Sequence, residues 1–455
     1  MITYSIIQKS QLEGALRLDA EYYQPDYLKL SLKLKNQNSK LLEEITESVV
    51  SFGAYSLTNY IEWKESGVPY LNVEDIRDGR IEFDGTKFIS EKVDEILKKS
   101  RVREGQVIIT MAGTIGEAAV AHKIPKKVNS NQATAKITLK QGYSPYYLAA
   151  FLNSYFGKKQ TEREIVSSVQ PNIFLGPIKN LRVFIPTSEQ QKTIEETYKL
   201  GLDEYENSKS LYSQAEDLLL EELGLKDFKI EDDLSYIVNL SDIKFAHRAD
   251  AEYFQPKYEK LIKHIEERVK MQQLKAITTT KRGSLIDPRF YNEAEGTPYI
   301  RGKDFSSGRL EKSGLVYIDI DFQPKNETRV NVGDLVFALI GSVGTSALVN
   351  EAFHNSFISN NIGKISIKDK KEVLPEYLAI VLNSIIGKLQ FGKEASQTAQ
   401  PKISDVQVRN FYIPILPKPT QQKIADLVRR FHEARRKAKE LLKQTKQKVE
   451  KLIEK

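Results

Sequence analysis

The chain has 455 residues, 68 Lys plus Arg against 61 Asp plus Glu, a formal net charge of +7 and no cysteine. The lack of cysteine excludes disulfide scaffolds and thiolate metal sites, and a 40% hydrophobic content excludes a disordered or collagen-like chain. Five scattered histidines (His122, His247, His264, His354, His432) give no metal-cage spacing, and apolar runs such as Leu335 to Ile340 are far too short to cross a bilayer. The opening MITYSIIQKSQLEG lacks a basic region followed by an apolar core, so the expectation is a cytoplasmic protein with no membrane segment.

Taken in chain order, the first elements recur. Residues 17–30, RLDAEYYQPDYLKL, return at 248–261 as RADAEYFQPKYEKL, with ten of fourteen positions identical. Tyr70–Glu82 matches Tyr299–Glu311, and Val102–Val120 matches Val330–Leu348. Pro145–Gln160 matches Pro375–Gln390, Gln170-Pro171 matches Gln400-Pro401, and Gln190-Gln191-Lys192 matches Gln421-Gln422-Lys423. A single repeat this long means a duplicated domain, not a solenoid. Met1 to Leu16 has a loose counterpart around Leu240 to Ala246; either it joins the first repeat or it closes against the last helix.

Within each repeat, Val107–Ala112 and Leu335–Ile340 read as buried strands bounded by glycine. Each runs into a Gly-x-x-Gly turn (Gly113 to Gly116, Gly341 to Gly344) and a second strand, a hairpin pattern. A helix follows, with Ser144 as cap, Pro145 in the first turn and Gly157 closing it. Strands and helices without regular alternation predict an α+β fold.

A long proline-free segment ends each repeat, from Ser188 to Leu223 and from Thr420 to Lys455. Ser188 with Gln191 suggests a capping box, and Gly224 a C-terminal stop. In the second segment Ile424, Val428, Phe431, Ala438, Leu442, Val449 and Leu452 alternate three and four residues apart, with Arg435 and Thr445 in the gaps. Ile194, Tyr198, Tyr205, Tyr212, Ala215 and Leu219 do so in the first, where Gly201 interrupts at about 1 kcal/mol relative to alanine. Residues 188–224 hold ten acids and three bases, net −7; residues 419–455 hold twelve bases and five acids, net +7. Matched length and opposite charge predict an antiparallel coiled coil. The domains are therefore read as 1–187, a helix at 188–224, 225–418, and a helix at 419–455. The globular parts carry the remaining charge, net +4 and net +3.

Catalytic motifs are weak. Asp287-Pro288-Arg289-Phe290 lacks the second proline of an amino-methyltransferase motif. Gly387 to Glu394 imitates a phosphate loop, but Glu394 stands where Ser or Thr must ligate magnesium. Glu74, Asp75 and Glu82 are not followed by a nuclease-type acid-x-Lys and read as turn-capping or solvated groups. The expectation is a non-catalytic chain.

This organisation resembles the specificity subunit of type I restriction-modification systems. The resemblance covers essentially the whole chain and rests on the order of parts, repeated twice: the two globular units, the Gly-Thr-Ile-Gly and Gly-Ser-Val-Gly turns, and the Pro-x-x-x-Gln-Gln-Lys entry into each long helix (Pro186 to Lys192, Pro417 to Lys423). It implies that each unit is a target-recognition domain binding one half of a split double-stranded DNA site. The helix pair would act as a ruler and as a dock for two methyltransferase subunits. Those subunits and the restriction subunits would carry S-adenosylmethionine, magnesium and ATP, so no cofactor or metal is expected on this chain. A duplicated scaffold that binds protein instead of DNA, or a recognition subunit of another restriction-methylation type, is the alternative.

Phosphate contacts position a protein and base contacts specify it, so two units reading different half-sites should share the first and differ in the second. Arg80 and Arg309 recur and are assigned to phosphate; the recurring Lys136 with Lys364 and Lys158 with Lys388 are read as solvated basic residues. The turn residues Thr114 and Ser342 could approach a phosphate. Divergence concentrates at 48–69 against 278–298, giving Tyr55, Asn59 and Lys64, and Lys281, Arg282 and Arg289, as candidate base readers. Asn131, Gln132, Ser167, Ser168 and Gln170 join them in the first unit, and Asn360, Asn361, Gln397, Thr398 and Gln400 in the second.

Overall fold

A computed structural model describes residues 4–15, 17–52, 61–166, 171–229, 231–292, 295–306, 308–310, 312, 314–319, 322, 328–396 and 398–455. The chain forms two compact units. One comprises residues 1–206 with 434–455, the other residues 207–433. Both cuts fall inside long helices, so each unit contains a piece of both.

In the first unit, helix α1 (Pro25–Lys35) precedes strands β1 (Thr46–Val50), β2 (Val107–Thr110), β3 (Ala118–Val120) and β4 (Thr134–Leu139). The strands make an antiparallel sheet in the order β1-β4-β2-β3. Strand β2 is buried at every position, as its unbroken apolar run requires. The β2–β3 hairpin turns at Gly113 and Gly116, whose φ values of +67° and +80° favour glycine. Helices α2 (Pro145–Leu152) and α3 (Tyr155–Glu164) follow, α2 packing on β2 and β3, and then the long helix α4 (Ser188–Glu222). A smaller sheet pairs Val68–Leu71 antiparallel with Lys87–Ile89 and parallel with Asn129–Ser130.

The second unit repeats this plan. Helix α5 (Pro256–Glu266) leads to β5 (Thr278–Arg282), β6 (Leu335–Ala338), β7 (Ser346–Leu348) and β8 (Ile362–Ile367), ordered β5-β8-β6-β7. Then come α6 (Pro375–Asn383), α7 (Ile385–Glu394) and the long helix α8 (Lys418–Glu454). Its smaller sheet again has one parallel pairing, Tyr299 with Phe357.

The repeated Arg-x-Asp-Ala-Glu-Tyr motif now has a physical reason. Arg17 donates to the carbonyls of Glu164 (3.4 Å) and Ile165 (3.2 Å), closing the C-terminus of α3, while Asp19 grips its guanidinium at 2.6–2.8 Å. Arg248 does the same at the end of α7, donating to Glu394 O (3.0 Å) and Ala395 O (3.2 Å), held by Asp250. Arg17 and Asp19 are thereby tied to α3 of the first unit. That unit also holds the end of the last helix, since the Gln37 side chain donates to Ile453 O at 2.7 Å.

In the first unit residues 188–206 of α4 pack against 434–455 of α8. Ile194, Tyr198, Leu202, Leu442, Val449 and Ile453 share one core. Lys448 donates to Thr197 (2.7 Å) and Lys437 pairs with Glu204, so rising numbers meet falling ones and the helices are antiparallel. In the second unit Ala215, Leu219, Ile424 and Val428 share a core, and Tyr212 meets Phe431 edge-on at 5.2 Å. Most of the predicted seam is buried, but Leu452 and Tyr212 are half-buried and Ile453, which the spacing passed over, is fully buried. At Gly201 a Cβ would lie 3.0 Å from Leu442 Cγ, so the glycine that weakens the helix lets the two helices approach.

Three local expectations are corrected. Gly157 does not end a helix: α2 stops at Leu152, Ser154 caps α3, and Gly157 lies inside α3, where a Cβ would stand 2.3 Å from Phe151 O. Gly387 is placed likewise, 2.1 Å from Leu382 O. The capping box of α4 is Thr187 with Gln190, one residue before the predicted pair: Thr187 N donates to Gln190 Oε1 (3.0 Å) and Gln190 N to Thr187 Oγ1 (3.3 Å). The Gln-Gln-Lys alignment is also slipped by one. Gln191 accepts from Ser144 N and donates to Pro186 O, while Gln421 accepts from Leu374 N and donates to Leu416 O. Gln191 and Gln421 are therefore the equivalent residues. Gly224 ends α4 as expected, at φ +65°, with Leu225 N donating to Leu220 O at 2.7 Å.

Candidate nucleic-acid interface

In each unit, described residues flanking several of the candidate loops meet at one end of its four-stranded sheet. In the first unit the chain continues past β2 to Met111, whose N–H donates to Ala133 O (2.7 Å) and whose carbonyl accepts from Ile173 N (2.9 Å). Ala112 bridges Asn172. These bonds bring together the Thr114 turn, the Asn131-Gln132 loop and the chain that follows Gln170. Ser51 Oγ donates to Gln132 O at 2.7 Å, so the variable segment after β1 starts at the same place.

The second unit builds the same junction from other residues. Leu339 N donates to Asn361 O, Ile403 N to Leu339 O, and Gly341 N to Pro401 O, all at 2.9–3.0 Å. Arg282 Nε donates to Asn360 O at 2.5 Å, fixing the end of β5 against the Asn360-Asn361 loop.

Within these junctions Thr114, Lys281, Arg282, Ser342, Asn361, Thr398 and Gln400 are exposed, while Asn131, Gln132 and Asn360 are half-buried. Asn131 is partly committed to the loop: it donates to Asn72 Oδ1 (3.3 Å) and accepts from Ala133 N (3.1 Å). Thr398 donates to Gln400 O at 2.8 Å. Lys64 and Arg289 sit instead beside the smaller sheets, each exposed and paired with a carboxylate, Glu62 (3.0 Å) and Asp287 (2.9 Å). The Arg289 hydrogen bond holds the Asp287 carboxyl below the usual range. Tyr55, Asn59, Ser167, Ser168, Gln170 and Gln397 lie outside the described residues.

Of the two recurring arginines, Arg80 faces inward, where a phosphate contact needs solvent. Arg80 is 9% exposed; it stacks 4.5 Å from the Tyr205 ring centroid and lies 3.6 Å from Glu82 and 3.4 Å from Asp78. Burial pushes its pKa down, and Tyr205 and Glu82 outweigh this, so its charge is secure. Its neighbour Gly79 accepts a hydrogen bond from Tyr198 of α4. Arg309 is half-buried, and its charge acts on the Tyr212 phenol, whose pKa burial pushes up to about 12. In each unit the recurring arginine lies near a tyrosine of α4, Tyr205 for Arg80 and Tyr212 for Arg309. Sequence reasoning missed this because a docking arginine and a phosphate-binding arginine leave the same trace.

Asp75 and Glu82 are likewise structural. Asp75 accepts from Asn72 N (2.7 Å) and Thr86 Oγ1 (3.3 Å), and Glu82 accepts from the Tyr205 hydroxyl. Among the described residues no group of three or more His, Cys, Asp or Glu could hold a metal ion. Gly387 to Glu394 lies within α7, with no phosphate-cradling loop. Among the described residues no helix is long and apolar enough to cross a membrane.

A second recurrence was also missed. Asn153 accepts from Ala118 N (3.0 Å) and donates to Ala118 O (2.6 Å), and Asn383 does both to Ser346 at 3.1 and 3.0 Å. Each asparagine serves as one more strand partner for an edge strand; the shared Leu-Asn-Ser was the available signal.

Comparison with known proteins gives the class. The family model for the type I restriction modification DNA specificity domain matches residues 34–210 and 266–451, most of the chain and once in each repeat. The chain belongs to this family. It is 26% identical over 133 residues to the type I restriction enzyme EcoBI specificity subunit of Escherichia coli, a match spanning 29% of this chain and 27% of that protein. Among solved structures, the S subunit of a type I restriction-modification system from M. genitalium aligns at 14% identity and TM-score 0.41, covering 92% of this chain and 96% of that one. The HsdS subunit of Thermoanaerobacter tengcongensis aligns at 14% identity and TM-score 0.30, covering 91% and 95%.

Proposed function

We propose that this chain is the sequence-specific DNA-binding specificity subunit of a type I restriction-modification complex. Each unit reads one half of a bipartite double-stranded site, and the helix pair sets the spacing and docks two methyltransferase subunits. The chain has no catalytic activity of its own; methylation of adenine with S-adenosylmethionine, and ATP- and magnesium-dependent cleavage, belong to the methyltransferase and restriction subunits. One observation supports the reading: loops in which the repeats differ, ending at Gln132 and beginning at Pro171 in the first unit and at Asn361 and Pro401 in the second, adjoin the same end of two identically ordered sheets. A shared scaffold with divergent loops is what two readers of unlike half-sites need.

The test is the methylated-adenine map of a genome with and without this gene. Loss of methylation at one split motif, in both halves together, is the expected result. Unchanged methylation at every split motif overturns the proposal.

A further inference from the structure

The two units differ in one charge beside the Gly-x-x-Gly turn. Lys158 and Lys388 are each the fourth residue of α3 and α7, and Glu117 and Thr345 each follow the second glycine of their turns. In the first unit Lys158 Nζ and Glu117 Oε1 are 2.5 Å apart, both side chains about a quarter exposed. Thr161 packs beneath the turn, its Oγ1 2.6 Å from where a Gly116 Cβ would be. In the second unit Thr345 brings no carboxylate. Lys388 is exposed, has no acidic partner among the described residues, and lines a cavity of about 390 Å³ with Gly344, Thr345, Gly392, Ser396 and Pro401. Its charge is the sole formal charge of that lining.

We infer that Lys388, with the hydroxyls of Thr345 and Ser396, forms a phosphate-binding subsite for the DNA backbone, one that Glu117 neutralises in the first unit. The position suits it. Pro401 accepts from Gly341 N, and Ser396 accepts from Lys402 N and contacts Thr398 Oγ1 at 3.3 Å, so the cavity opens at the junction of the candidate base readers. A cationic ammonium beside two hydroxyls and glycine backbone suits a phosphodiester oxygen, and such a contact adds affinity without reading sequence. The inference rests on the proposed function and adds an asymmetry to it: the second unit holds a backbone phosphate at this point and the first does not.

The test is DNA binding by the full chain, assembled with its methyltransferase subunits, across a salt series. Each phosphate neutralised contributes about 0.9 to the slope of log affinity against log salt. Lys388→Gln and Thr345→Glu should each lower the slope by about 1, the second by recreating the ion pair of the first unit. Glu117→Thr should raise it by about 1 by freeing Lys158. Half-site preference should not change in any variant. Unchanged slopes in Lys388→Gln and Thr345→Glu, with steep DNA binding by the unaltered protein, overturn the inference and leave the proposed function standing. Absence of DNA binding by the unaltered assembly overturns both. Titration with inorganic phosphate separates the sources: binding that Lys388→Gln abolishes, with the DNA slope unchanged, marks a free-anion site and rejects the backbone contact.

Discussion

The guanidinium of Arg435 lies 3.8 Å from the centroid of the Tyr205 ring. Arg80 approaches the same ring at 4.5 Å, and the Tyr205 hydroxyl donates to Glu82, which is 2% exposed. One aromatic of the central helix is thus held between a cation of the last helix and a cation of the recognition unit. Tyr205→Phe keeps the stacking and removes a donor from a buried carboxylate, a cost of about 1–3 kcal/mol. Tyr205→Ala also opens a cavity and should cost about 3–5 kcal/mol. Denaturant unfolding should rank them in that order. A neutral Phe variant would show that the hydroxyl contributes nothing.

Lys136 makes stability depend on pH. Its side chain is 1% exposed, it donates to Ser130 Oγ at 2.9 Å, and burial lowers its pKa from 10.5 to about 8. The folded state binds this proton less tightly than the unfolded state. The destabilisation is therefore fully present below pH 8 and is relieved as pH rises from 8 towards 10.5, by about 3 kcal/mol at most. Lys136→Met should be more stable than the parent at pH 7, and the gap should shrink by pH 10. A gap that does not change with pH would mean that Lys136 does not titrate in this range.

Gly157 and Gly387 mark tight helix crossings. Alanine raises helix propensity by about 1 kcal/mol, yet its Cβ would lie 2.3 and 2.1 Å from backbone oxygens. The clash should dominate, with a net loss of about 1–3 kcal/mol at each site. Thermal melts followed by circular dichroism decide the sign.

Arg282 is a candidate base reader whose Nε is fixed by Asn360 O while the side chain stays exposed. Arg282→Ala should relax recognition at one base pair of one half-site by about 1–3 kcal/mol. Binding-site selection should leave the other half-site unchanged.

The ruler proposal has its own test. Removing one or two whole turns from both long helices should change the tolerated spacer and leave both half-sites intact. An unchanged spacer contradicts it.

Much of the fold was legible because duplication supplies an internal comparison. The identical sheet orders and the helix seam, down to Arg435 and Thr445 in its gaps, follow from repeated letters and from three-four spacing. The misreadings share one cause: a letter can serve two physical ends. Glycine at 157 could stop a helix or admit a neighbour, and only the carbonyl of Phe151 decides. Arginine at 80 could face phosphate or a tyrosine on a helix 125 positions further along the sequence, a pairing that local pattern does not encode. The candidate interface was legible as divergence alone. Divergence located the loops, and the hydrogen bonds of Met111 and Leu339 join Ala133 to Ile173 and Asn361 to Ile403 at their described flanks.

The first unit takes its closing helix from residues 434–455, whereas the second is built from one continuous stretch, 207–433. A chain emerging from the ribosome therefore completes the second unit before the first, although the first is begun earlier. Until residues 434–455 are made, Gly201 and Tyr205 of α4 lack the cover that Leu442 and Arg435 give them. A premature stop near residue 433 would leave one finished unit joined to one with an exposed apolar seam, a species suited to chaperone capture or proteolysis and not to half-function.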